Sequence, residues 1–109
     1  FGTDAPVESF DPWPGLALAV RREDARWPAG TPLYAQDEAL TLDRALRAYS
    51  VDPAMSARET DRGRLTVGQR ADVVVIPAAG IDEPVTPGGS LSTTRPDLVM
   101  VDGEVVFEI

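Results

Sequence analysis

This chain of 109 residues contains neither histidine nor cysteine. It therefore lacks the commonest ligand of a catalytic metal and any thiolate, and the groups left to examine for acid–base chemistry are carboxylates. Asp4, in Gly2-Thr3-Asp4-Ala5-Pro6, is the foremost of them. It stands where a strand is expected to end, and a carboxylate there can face a cavity, although an aspartate in a turn is more often structural. Glu8 and Asp11 follow closely, so a pair of carboxylates sharing acid and base roles is conceivable. Asp11 immediately before Pro12 is better explained as a helix cap, and Glu8 as an exposed side chain. Asp72 lies between Ala71 and Val73 in an apolar stretch, where a local hydrogen bond to the preceding Gly68 turn is a plainer expectation than catalysis.

Other chemistry is sparse. No glycine-rich phosphate loop precedes a helix, and Gly88-Gly89-Ser90 reads as flexible loop. Arginines at 44, 47, 58, 62 and 64 gather around one helix, but acidic residues at 43, 52, 59 and 61 neutralise them, which describes a solvated face. With 18 acidic and 10 basic residues the net charge is -8, which repels nucleic-acid phosphates and anionic membrane surfaces. No binding to either is expected. There is no secretory signal pattern and no apolar run of transmembrane length, and the expectation is a cytoplasmic protein, any targeting segment lying ahead of Phe1.

The elements that would position these groups can be read in order. Residues 1–7 look like the last residues of a strand entering a loop, since Pro6 biases Ala5 away from helical dihedrals. Asp11-Pro12 predicts a helix over 12–24, and residues 25–39 a loop that packs through Trp27, Leu33 and Tyr34. Thr41 can cap a second helix bearing Leu42, Ala45, Leu46 and Tyr49, and Asp52-Pro53 should start a short third one over 53–59. Gly63 and Gly68 bracket a turn leading into a strand over 71–76 that is apolar on both faces and so must be covered on both. A long irregular loop over 78–97 follows. Asp102-Gly103, flanked by 98–101 and 104–107, predicts a type I′ hairpin.

Four of these segments together carry a resemblance. FGTDAPV resembles the Gly-Ser-Asp-x-Pro-Val at the end of the eighth barrel strand in amidohydrolase family 3, the branch of metal-dependent amidohydrolases that includes N-substituted formamide deformylases, with Thr3 in place of the commoner serine. LTLDRALRAYSVDPA is similar to that branch's Leu-Thr-x-x-x-Ala-Leu helix and its Pro-Ala restart. GRLTVGQRADVVVI resembles Gly-x-Leu-x-x-Gly-x-x-Ala-Asp-Val-Val, and VMVDGEVVFE the closing Val-x-x-x-Gly-x-Val-Val strand pair.

The resemblance implies an α/β fragment: residues 1–60 would be the last strand and helices of a TIM (β/α)8 barrel, and residues 61–109 the C-terminal strands of a small β-sandwich. It implies the C-terminal part of a hydrolase that cleaves carbon–nitrogen bonds other than peptide bonds in a small amide-like substrate, using a divalent metal, zinc foremost. Asp4 would be the aspartate at the barrel mouth, contacting the metal and acting as general base on the attacking water. The family's histidine ligands come from earlier strands, so this chain alone is expected to hold no metal and to be inactive. Its two-sided apolar strand also predicts self-association of the chain. The rival reading is a non-enzymatic binding or assembly domain. A His-x-His near the start of a barrel-sized upstream sequence separates the two.

Overall fold

The computed structural model describes residues 1–22, 24, 26–77 and 90–109. Helix α1 (Pro12–Arg21) begins as expected: Asp11 accepts the Trp13 amide at 3.1 Å, and the proline sits where an amide would have no helical partner. It stops short of residue 24, because Arg22 turns left-handed at φ 57° and donates its amide to the Leu18 carbonyl at 2.8 Å. Leu16, Ala17 and Val20 form its buried face.

Helix α2 (Leu42–Tyr49) is capped by Thr41, whose hydroxyl accepts the Arg44 amide at 3.3 Å, with Asp43 in its first turn and Arg47 in its last complementing the helix dipole. Ala45 is wholly buried where α2 meets α1. Helix α3 (Val51–Ser56) starts two residues before Pro53, and Asp52 lies in its first turn instead of capping it. Burial decides the difference. Starting at Val51 puts Val51 and Ala54, one turn apart, on the buried face, and Ser50, between the helices, turns its hydroxyl back to the Leu46 carbonyl at 2.8 Å.

The loop after α1 departs from expectation, because Trp27, Leu33 and Tyr34 are all exposed. The space against α1 is already filled by Leu40, Leu42 and Leu91. Polar contacts hold the loop instead: Arg22 donates from Nε to the Tyr34 carbonyl at 3.0 Å and sets its guanidinium 5.8 Å from the Tyr34 ring centroid. A 3₁₀ turn over Gln36–Glu38 and a bond from the Leu40 amide to the Ala19 carbonyl bring the chain back to α1.

Strands β1 (Val73–Val75), β2 (Leu98–Val101) and β3 (Glu104–Glu108) form an antiparallel sheet in the order β1-β2-β3. Val74 pairs with Val99, Val99 with Phe107, and a bulge follows between Val99 and Met100. Asp102 and Gly103 both take positive φ, 52° and 87°, as a type I′ hairpin requires. Gly63 and Gly68 do the same at the bends before β1, at 87° and 93°.

Three further expectations change. Residues 1–7 contain a turn and no strand, for no neighbouring strand among the described residues offers them a ladder. The end of the expected irregular loop is ordered and partly core: the 3₁₀ turn Ser90–Thr93 inserts Leu91, 1% exposed, against Leu16, Ala17 and Ala45, and Thr94 after it is buried. Residues 78–89, with Gly88-Gly89, lie outside the described residues. Asp72 bonds not to the Gly68 turn but across the sheet, accepting the Asp102 amide at 2.8 Å, with Arg62 4.0 Å away.

Candidate functional site

Asp4 occupies the first position of a tight turn closed by a bond from the Val7 amide to its own carbonyl at 2.9 Å. Its φ of 51° is left-handed, a conformation aspartate tolerates better than most residues. The side chain is exposed.

Beside this turn lies a cleft of about 920 Å³ between residues 1–3 with Glu8, Ser9 and Asp11 on one wall, α1 on the next, and Tyr49 with Ser92 and Thr93 closing it. Asp4 is not part of its lining. Tyr49 contributes a ring that meets Phe1 edge-on at 5.6 Å between centroids, and burial pushes its hydroxyl above the ordinary value. The ring reaches over Gly15, where a Cβ would come within 2.6 Å of the tyrosine hydroxyl. That close crossing of α1 and α2 is possible because residue 15 has no side chain.

One rim of the cleft is an ion cluster. Arg26 donates from Nη1 to Glu8 at 2.9 Å and from Nε to Asp24 Oδ1 at 2.9 Å, while its backbone amide also bonds Asp24 at 2.8 Å. The side-chain bonds from Arg26 hold the Asp24 carboxyl below its ordinary range, partly offset by desolvation, and Asp24 and then Glu8 raise the guanidinium in turn. Because Arg26 is two-thirds exposed, this cluster orients the loop more than it stabilises the fold.

The carboxylates singled out from the sequence thus part company. Glu8 is matched to Arg26, Asp11 caps α1 and stands 3.4 Å from Arg95, Asp72 braces the hairpin, and Asp4 alone remains at the turn with an exposed carboxylate. Sequence reading missed Tyr49 and Arg26 as cleft residues. Tyr49 shares helical spacing with Leu42 and Ala45, which signals core and nothing more, and its ring partner Phe1 is remote in sequence. Arg26 sits in a segment without periodicity.

A metal does not fit these residues by themselves. Among the described residues no group of three or more His, Cys, Asp or Glu side chains is placed to hold an ion, and Asp4 is a single carboxylate. No helix among the described residues is long and apolar enough to cross a membrane.

Comparison with known proteins bears on the whole chain. The sequence model described as the amidohydrolase family matches residues 1–107. N-substituted formamide deformylase of Arthrobacter pascens is 34% identical over 107 residues, covering 97% of this chain and 18% of that protein. YtcJ of Bacillus subtilis (strain 168), whose name describes it as an amidohydrolase, is 30% identical over 108 residues, covering 98% of this chain and 20% of its own length. The chain therefore spans about a fifth of the length of these curated relatives. No solved structure matches it.

Proposed function

Because this chain belongs to the amidohydrolase family, we propose that it forms the C-terminal part of a hydrolase cleaving carbon–nitrogen bonds other than peptide bonds, with Asp4 as its contribution to the chemistry. The observation that carries the reading is the family match over residues 1–107, which includes the Asp4 turn. Residues 1–60 would then close a (β/α)8 barrel, with the Asp4 turn at the end of its last strand, and residues 61–109 would belong to a small sandwich. Catalytic groups of such barrels gather at that end of the strands. The divalent metal of the complete protein, zinc foremost, would be held by residues outside this chain with Asp4 contacting it, and the chain alone would be inactive.

Asp4's part can be written without further groups. Its carboxylate accepts a proton as a water oxygen forms a bond to the amide carbon. It then gives that proton to the nitrogen as the carbon–nitrogen bond breaks, returning to its starting state. An exposed carboxylate on a fixed turn suits a group that must meet solvent and substrate alternately. N-substituted formamides are the first substrates to assay, by analogy with the Arthrobacter pascens relative.

The test is Asp4→Asn in the complete protein, which keeps the size and turn preference of the side chain while removing the proton acceptor. The expected outcome is a loss of kcat of roughly 10²- to 10⁴-fold, the range of general acid–base contributions, with unchanged thermal unfolding. Turnover equal to wild type would remove Asp4 from the reaction.

A further inference from the structure

Glu8 stands directly after Val7, whose amide closes the Asp4 turn, and three residues before Asp11, which caps the start of α1. It meets Arg26, which follows the other end of that helix. Among the described residues this is the one side-chain hydrogen bond or ion pair that ties residues 4–10 to a segment beyond α1. The stretch carrying Asp4 is therefore secured to α1 twice: directly at Asp11, and at Glu8 through the chain that leaves the helix.

Arg26 is itself held before it reaches Glu8. Asp24, its side chain only 11% exposed, accepts the Arg26 amide on Oδ1 at 2.8 Å, and its carbonyl accepts the Trp27 amide at 2.9 Å, so the aspartate locks residues 24–27 into a turn. The same carboxylate takes Arg26 Nε at 2.9 Å on one oxygen and Nη2 at 2.5 Å on the other. That grip leaves Nη1 for Glu8, 2.9 Å away. An exposed ion pair usually gains little, because two long side chains must be ordered to make it. Here Asp24 has already ordered the arginine, and the planar guanidinium serves both carboxylates from one orientation.

We propose that Arg26 is a positioning residue for Asp4: by holding Glu8 it fixes the direction in which the turn presents the Asp4 carboxylate, without itself touching substrate. The inference rests on the reading of Asp4 as the group that moves the proton. Such transfer needs the carboxylate within hydrogen-bond reach of the attacking water, and small displacements cost rate steeply. Cutting the bond at Glu8 frees the turn to swing about Asp11. Fewer molecules then hold Asp4 in place, while the groups that bind substrate are unaffected, so kcat falls and KM holds.

The experiment compares Arg26→Met, Glu8→Gln and Asp4→Asn, singly and combined, in the complete protein. The readouts are turnover of N-substituted formamides and hydrogen exchange of the peptides that cover Val7. Arg26→Met is expected to lower kcat roughly 3- to 10-fold with KM within about twofold, and to speed exchange at Val7 by a similar factor. Glu8→Gln should act in the same direction and add little to Arg26→Met, since both cut one bond. In the Asp4→Asn background Arg26→Met should change kcat by less than about twofold, because no carboxylate is left to place. An arginine of merely structural importance would slow Asp4→Asn by the same factor as the parent. That result, a parent-like kcat in Arg26→Met, a raised KM at unchanged kcat, or unchanged exchange at Val7 would each overturn the proposal. Asp4→Asn turning over like the parent would overturn the reading of Asp4 itself, a separate failure: exchange at Val7 needs no substrate and decides on its own whether Arg26 holds the turn.

Discussion

Gly63 and Gly68 look alike in sequence and in dihedrals, yet replacing each with alanine should have quite different effects. At Gly68 (φ 93°) a Cβ meets nothing within 4 Å, so Gly68→Ala costs about 1–2 kcal/mol, the penalty of placing an L side chain in left-handed space. At Gly63 (φ 87°) the same atom would lie 2.9 Å from the Ser50 carbonyl oxygen, 3.2 Å from the Ala54 side chain and 3.2 Å from the Val51 Cα. Two of those are backbone atoms at the junction of α2 and α3, with Val51 and Ala54 buried, so they yield only if the helices move apart. Overpacking of that kind adds about 1–3 kcal/mol, giving about 2–5 kcal/mol in all. Domains of this size have about 5–15 kcal/mol to lose. Urea unfolding followed by circular dichroism reads both variants, as shifts of midpoint at constant slope. Equal losses in the two, or a milder effect at Gly63, would refute the argument that the turn is seated against the helix junction.

Leu91→Ala should cost about 2–5 kcal/mol in the same assay, since Leu91 is only 1% exposed and anchors the 90–93 turn to α1; a loss under about 1 kcal/mol would place that turn outside the core. Arg70 donates from Nε to Asp61 at 2.7 Å and thereby holds the Asp61 carboxyl below its ordinary value of 3.8, against a smaller opposing effect of desolvation. With the folded value depressed, the contact contributes fully above the ordinary value and is lost as pH falls through the lower, folded one. Carboxyl NMR titration should therefore find Asp61 titrating at higher pH in Arg70→Met than in the parent, and equal midpoints would contradict the pairing. At high concentration the chain alone should self-associate by strand addition or exchange, and more strongly as salt screens its net charge of -8. Sedimentation showing a clean monomer at every salt concentration would rule this out.

Local chemistry was legible in the sequence. Asp11-Pro12, Thr41 and Asp102-Gly103 each act within a few residues of their own position, through a cap, a fixed φ or a required positive φ, and each stands in the structure where the residue types predict. The motif around Asp4 needed only adjacent residues to be noticed, but the strand expected to end there is absent from residues 1–7. Where contacts between distant segments compete, the sequence was silent or misleading. Asp52-Pro53 carries a good start signal, but burying Val51 and Ala54 began α3 two residues earlier, because the capping bond of an exposed aspartate is worth less than two buried side chains. Trp27, Leu33 and Tyr34 looked like anchors and Leu91 like loop, and the groove beside α1 took Leu91. Residue types thus determined where helices and the hairpin begin and turn, since those are short-range preferences. The contents of the core and the Tyr49 cleft were decided by tertiary packing, since a groove filled by one segment excludes every other.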